Sequence, residues 1–271
     1  MPSRLNCRVG IFEKYVQLLL IKLLLTPLLM IAISWAARRW GAGIGGLLAG
    51  LPLTSGPISI YLWVEQGPKF AATAASSSLL SLTPVAIFSV VYGRLAQRLQ
   101  MPACALCGLG VFLLSLFFLQ RLALPFWQTW IIGVLAISLG LICTPNKLPT
   151  KFQIHYPRWD LPARVFSATA MVLLITLSAS VLGSQWSGLL SPIPVLAWPL
   201  CAFVHHQQGS DAARAVLRGI LEGAYGVLIF YTIVAGGLGR LSPVFVYVVA
   251  ILASLLVSIP WLKSKLVLPA E

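Results

Sequence analysis

Long apolar runs separated by short polar or basic stretches dominate the chain, and each holds roughly the ~20 residues that cross a ~30 Å hydrocarbon layer. They predict nine helical spans, near residues 15–37, 42–64, 70–92, 102–120, 126–144, 162–184, 187–205, 211–234 and 243–262. The first run follows a basic tail as a signal peptide would. Its apolar part is too long for one and contains Lys22, so it reads as a retained span. The one sizeable polar connection, Thr144 to Pro162, is proline-rich and mixed in charge with no helical period, which marks a boundary between two halves.

The second run carries GLLAGLPLTSGP, Gly46 to Pro57, with two prolines, a Thr-Ser pair and glycines at the centre of an apolar segment. A shift of 142 residues lays it on GLLSPIPVLAWP, Gly188 to Pro199, without a gap. Gly46 then meets Gly188, Pro52 meets Pro194, Pro57 meets Pro199, Gln66-Gly67 meets Gln208-Gly209, Ala71 meets Ala213 and Phe88 meets Phe230. This is an internal duplication. The register also pairs Lys22 with Arg164, so spans 1 to 4 correspond to spans 6 to 9 and span 5 has no counterpart.

One unpaired crossing between two four-span units forces the second unit to enter from the opposite side. The expected fold is therefore an all-α, polytopic membrane helix bundle of about nine transmembrane helices, two four-helix inverted-topology repeats joined by an extra helix. Its parts are the first repeat with the N-terminal tail (1–121), the linker helix and polar loop (122–161) and the second repeat (162–271).

Composition sets the class. Of 271 residues, 59% are hydrophobic and only 9% charged, the balance of an integral membrane protein. The formal charge of +13 invites a nucleic-acid reading, but the 19 Lys and Arg are spread over loops and helix ends rather than gathered on one face. In the nine-span order Arg38, Arg39, Arg94, Arg98, Lys147, Lys151, Arg158, Lys263 and Lys265 share one side. Lys69, Arg121 and Arg240 lie on the other, with Arg4, Arg8 and Lys14 of the tail. The first set is expected to face the cytoplasm, N-terminus out and C-terminus in.

Five cysteines, Cys7, Cys104, Cys107, Cys143 and Cys201, are odd in number and mostly inside apolar runs, which argues against a disulfide framework; the CxxC of Cys104 and Cys107 reads as buried thiols. Adjacent His205 and His206 diverge on a helix and read as structural rather than as a metal pair. No GxxxxGK[ST], HExxH, paired-carboxylate or Ser-His arrangement occurs, so neither an ATP-driven pump nor an enzyme is expected, and no cofactor or metal.

The basic residue in the first helix, GGLLAGLPLTSGP, EQGPKFAATAA, and in the second half SGLLSPIPVLAWP and HQQGSDAARAVLRG resemble the GlpM-like family of small bacterial inner-membrane proteins. Each half is similar to one whole four-span member, so the chain resembles a tandem duplication. The resemblance matches Lys22 and Arg164 to the basic position, Pro52 and Pro194 to the proline, and Gly67 and Gly209 to the turn glycine. Glu65 matches the turn acid, where the second half has Gln207, and Arg214 the third-helix arginine, where the first half has Ala72. It implies a multi-pass protein of the bacterial inner membrane and a loose link to envelope polysaccharide production.

Paired broken helices at equivalent places of two repeats point to a midplane binding site. Pro52, Thr54, Ser55 and Pro57, with Pro194 and Pro199, are the candidates for such a site, the alternative being prolines that only kink packed helices. Lys22 lies about seven residues, roughly 10 Å, inside its span. With Arg164 it would draw an anionic group, unless Lys22 snorkels and Arg164 anchors at the interface. Asp211, Arg214, Arg218 and Glu222 fall on one helix face. Glu222, near mid-bilayer, costs about 2.5 to 3.5 kcal/mol unless paired or protonated, so it is read either as a relay or as half of a structural pair with Arg218.

The expected function is a secondary transporter or flippase moving a small anionic or lipid-linked solute. The alternative is a non-transporting inner-membrane subunit or scaffold of envelope polysaccharide assembly. Expected partners are membrane lipids and a small-molecule solute, with no nucleic acid; a homo-oligomer is left open.

Overall fold

A computed structural model describes residues 23–53, 55–122, 124–144, 159–182 and 195–267. Helix α1 covers 23–40, followed by α2 (Ala42–Ala49), α3 (Ser55–Gln66), α4 (Pro68–Leu80), α5 (Leu82–Leu95), α6 (Met101–Gln120) and α7 (Phe126–Cys143). Then come α8 (Asp160–Leu182), the long α9 (Ala197–Gly237) and α10 (Pro243–Val267). Among the described residues the fold is all-helical, with one isolated backbone bridge between Leu238 and Leu241. Among the described residues five segments are long and apolar enough to cross a membrane: Pro68–Leu95, Met101–Gln120, Phe126–Cys143, Ala197–Gly237 and Pro243–Lys265.

Three expected spans are built differently from a plain crossing. The run 42–64 is cut into α2 and α3, because Pro52 has no N–H for the Leu48 carbonyl and Pro57 none for that of Leu53. The chain turns instead through Gly50, whose N–H closes on the Gly46 and Leu47 carbonyls, and Leu53, whose N–H closes on Leu51. Conversely, the expected spans near 187–205 and 211–234 join in α9, as two arms, 197–208 and 210–237, meeting at Gly209. Residues 187–194 lie outside the described set.

The 142-residue register reappears in the helix boundaries. Moved by 142, α3 becomes 197–208, the first arm of α9; the start of α4 becomes 210 and the end of α5 becomes 237, the bounds of the second arm. The start of α6 becomes 243, the start of α10, and the end of α1 becomes 182, the end of α8. Between α3 and α4 stands Gly67, with φ 85° and ψ 172°; inside α9 stands Gly209, with φ 84° and ψ −176°. That backbone region is open essentially to glycine alone, so the sequence match has a steric reason.

Packing crosses the halves. One core cluster gathers Phe88, Tyr92 and Phe112 with Leu200, Val204 and Val216; the other gathers Leu79 and Leu82 with Leu228, Phe230 and Tyr247. Phe88 and Phe230, equivalent in the register, are fully buried in one cluster each. Tyr247 of α10 donates to the Ser59 carbonyl of α3 at 2.7 Å, and Trp198 Nε1 of α9 to the Ala105 carbonyl of α6 at 3.1 Å. Both contacts join the last helix of one half to helix α3 or to its register equivalent, the first arm of α9.

Candidate functional site

The second arm of α9 receives the broken helix. Glycines at 46, 219 and 223 let the two backbones touch: a Cβ at Gly46 would overlap the Val216 carbonyl, one at Gly219 the Gly43 carbonyl, and one at Gly223 the Leu47 carbonyl. Small residues at a membrane helix crossing permit this approach. The contact continues outward from α2 into the break, where Gly50 lies against Ile220 and Gly223, and Leu51 against Gly226. The interruption of α2 and α3 thus rests on the turn of α9 that carries Glu222.

Glu222 is buried and doubly paired. Arg218 Nε lies 3.1 Å from Oε1, one helical turn away, and Lys265 Nζ, from the end of α10, lies 2.9 Å from Oε2 as a charge contact out of hydrogen-bond alignment. Arg218 Nη1 also donates to the Leu141 and Thr144 carbonyls at 3.2 and 2.6 Å, adding a donor at the C-terminal end of α7, where carbonyls lack intrahelical partners. One carboxylate therefore ties α7, α9 and α10 together beside the break. Arg214, on the same face, has Nη1 3.8 Å from Asp211 Oδ1.

Arg164 belongs to a second network. Its Nε donates to Asp160 Oδ1 at 2.8 Å and its Nη2 to Gln207 Oε1 at 3.0 Å; Gln207 also donates to Asp160, and Arg38 Nη2 donates to Asp160 Oδ2 at 2.6 Å. Arg164 and Asp160 are both fully buried. Asp160 opens α8 ahead of its apolar run. Burial pushes its carboxyl up, but Arg164, with help from Gln207 and Arg38, overcomes burial and holds it below its usual range.

The prolines have distinct places. Pro52 sits in the half-buried turn of the break, whereas Pro57 and Pro199 are each the third residue of a helix, where proline removes no intrahelical bond. Pro57 is exposed and Pro199 buried. Lys22, Thr54 and Pro194 lie outside the described residues, as do the side chains of Ser55 and Glu65, whose backbones fall in α3. The structure brings Arg218 and Glu222 together and puts Arg164 in a different cluster. His205 is buried, with Nδ1 3.3 Å from the Tyr92 hydroxyl, and Cys104, Cys107, Cys143 and Cys201 are free thiols.

Sequence reasoning missed Asp160, Gln207 and Lys265 as partners. For Lys265 a signal existed: Tyr247, Ser254, Ser258 and Lys265 follow one another at seven, four and seven residues, the spacing of a single helix face. Comparison of the chain with protein-family models, with curated proteins and with solved structures returns no match.

Proposed function

We propose that the protein is a secondary transporter or flippase of the bacterial inner membrane, moving a small anionic or lipid-linked solute between two inverted repeats that descend from a duplicated GlpM-like unit. The observation that carries this reading is the rest of the α2–α3 break on the Glu222 turn of α9. A helix interrupted inside hydrocarbon is tolerated where the freed backbone is buried in protein or lines a polar cavity, and a carboxylate there is retained when it is paired or works. In this scheme Glu222 exchanges its partners, Arg218 and Lys265, as the solute passes the break. Pro52 keeps the break open, and Lys22 and Arg164 contribute positive charge on the two repeats. The repeated helix bounds support the duplication, and the unpaired helix α7 between the two units supports the inverted orientation of this scheme.

A second reading, a non-transporting subunit of envelope polysaccharide assembly, is favoured by one observation: Arg164 is saturated by Asp160 and Gln207 inside the bundle. The deciding experiment is exchange of labelled carboxylates and phosphate esters by the full chain in proteoliposomes. The transporter reading expects exchange of at least one such anion, lost in Glu222→Gln while the variant stays folded. A wild-type protein that exchanges none of them, but purifies in a stable complex with a polymer-assembly partner, would establish the second reading.

A further inference from the structure

The last helix carries a polar stripe whose equivalents on α6 are apolar. On α10 the buried positions are Val246, Tyr247, Ala250, Ser254 and Ser258, while Val248, Leu252, Leu255 and Leu256 face outward. The 142-residue register gives each buried position an internal control on α6. Ala105, 5% exposed, corresponds to Tyr247 at 4%; Phe112 at 0% to Ser254 at 1%; Leu116 at 2% to Ser258 at 5%. Burial is the same in the two halves and the chemistry is not. Apolar side chains fill these places on α6, so burial at these positions does not itself call for hydroxyls.

The stripe follows the broken helix from end to end. Tyr247 hydrogen-bonds Ser59, just past the break; the Ser254 and Ser258 hydroxyls stand 2.9 and 3.0 Å from the place a Cβ of Gly226 would occupy, with Leu51 of the break beside them; Lys265 reaches Glu222 and passes over Gly43. From Tyr247 to Lys265 is about 27 Å at 1.5 Å per residue, close to the ~30 Å of the hydrocarbon core. Ser258 returns its hydroxyl to the Ser254 carbonyl, but the Ser254 hydroxyl, fully buried, has no hydrogen-bond partner among the described residues. A buried hydroxyl without a partner is costly. That cost points to a partner acquired in another state.

Resting on the transport reading and deepening it, the geometry points to the seam between α10 and the α2–α3 break as the polar path through the bundle. Ser254 and Ser258 hold the neutral hydrogen-bonding groups of a small anion, and Lys265 and Arg218 receive its charge. Solute and accompanying water enter when α10 separates from Gly226, and the Ser254 hydroxyl then gains the partner it lacks in the closed seam.

The test needs no knowledge of the solute. In the full chain in proteoliposomes, Tyr247→Cys, Ser254→Cys and Ser258→Cys are exposed to a charged methanethiosulfonate, with Leu252→Cys and Leu256→Cys as outward-facing controls and Arg98→Cys as a water-exposed control; adducts are located by peptide mass, so the native cysteines remain in place. The stripe positions are expected to react at least about tenfold faster than the outward-facing ones, because a charged reagent is excluded from hydrocarbon by several kcal/mol. Reaction of Arg98→Cys alone, with 254 and 258 as inert as 252 and 256, overturns the path. Transport without stripe labelling sinks this inference and leaves the transport reading standing; stripe labelling with no exchange of any anion sinks the transport reading and leaves an aqueous seam.

Discussion

Lys265 Nζ lies 2.9 Å from Glu222 Oε2, having crossed the face of α2 at Gly43, where an added Cβ would sit 2.9 Å from the same nitrogen. The contact holds the end of α10 to the middle of α9 over α2, the helix segment that stops at the break. Arg218 holds the other oxygen of the carboxylate and the end of α7. Glu222 is the shared node, and its partners are not equivalent.

Glu222→Gln should therefore cost more than Lys265→Met. Losing the carboxylate leaves two cations facing each other near hydrocarbon, whereas losing Lys265 leaves the Arg218 pair in place. Breaking a buried pair costs about 3 to 5 kcal/mol, and Lys265 and Arg218 are both partly exposed, so about 2 to 3 kcal/mol is expected for Glu222→Gln and about 1 for Lys265→Met. The double variant should lie near or above Glu222→Gln in stability, which denaturant unfolding in mild detergent would show. Equal losses from the two single variants would mean that the node carries no coupling.

At Gly67 and Gly209 every other residue should be destabilising by about 1 to 3 kcal/mol, Asn included. Nothing lies within 4 Å of a Cβ built at either glycine, so the cost is backbone alone and side-chain size should matter little. The positive φ is joined to an extended ψ, outside the left-handed helical region that Asn tolerates. Equal thermal shifts for Ala, Asn and Ser at position 209 would support this, and rescue by Asn would contradict it.

Asp160 should make the α1–α8–α9 junction acid-labile. Its carboxyl is held below the usual range, so its contribution is fully present above the unfolded value of about 3.9 and is lost as pH falls through the lower folded value. Wild-type stability relative to Asp160→Asn should be constant from about pH 5 upward and should fall toward the variant as pH drops below the unfolded value of about 3.9 and through the lower folded one. A difference that grew on going from pH 5 to pH 8 would show that another group governs the junction.

Pro52→Ala and Pro57→Ala should separate function from stability. Alanine at 52 supplies an N–H that can close on the Leu48 carbonyl in place of the Leu51 turn bond and lets α2 grow toward α3, drawing backbone groups of the break back into helix. Exchange in proteoliposomes should fall by at least about tenfold in Pro52→Ala with an unfolding midpoint equal to or above wild type. Pro57, at a helix start where proline costs no bond, should be the milder site. A loss of stability in Pro52→Ala with exchange intact would make the proline a packing residue.

Much of the helix map was legible from local signals. The run at 102–120 became Met101–Gln120 and that at 126–144 became Phe126–Cys143, because a backbone in hydrocarbon must close its own hydrogen bonds and an apolar run leaves helix as the solution. The 142-residue register located equivalent helix ends and the matched positive-φ glycines Gly67 and Gly209, since duplicated sequence carries duplicated steric constraints. Proline chemistry placed the break between α2 and α3. The pairing of Arg218 with Glu222 was readable too, because four residues is one helical turn.

What touches the broken helix was decided by tertiary structure alone. Lys265 reads in sequence as one more basic residue after the last span, and Arg164 as an interface anchor. Only the close glycine crossing of α2 on α9 brings Lys265 to Glu222, and only the meeting of α1, α8 and α9 surrounds Asp160 with Arg38, Arg164 and Gln207. Local sequence fixes which face of a helix is polar; which partner that face meets depends on how closely distant backbones approach, and that is set by contacts between residues far apart in the chain.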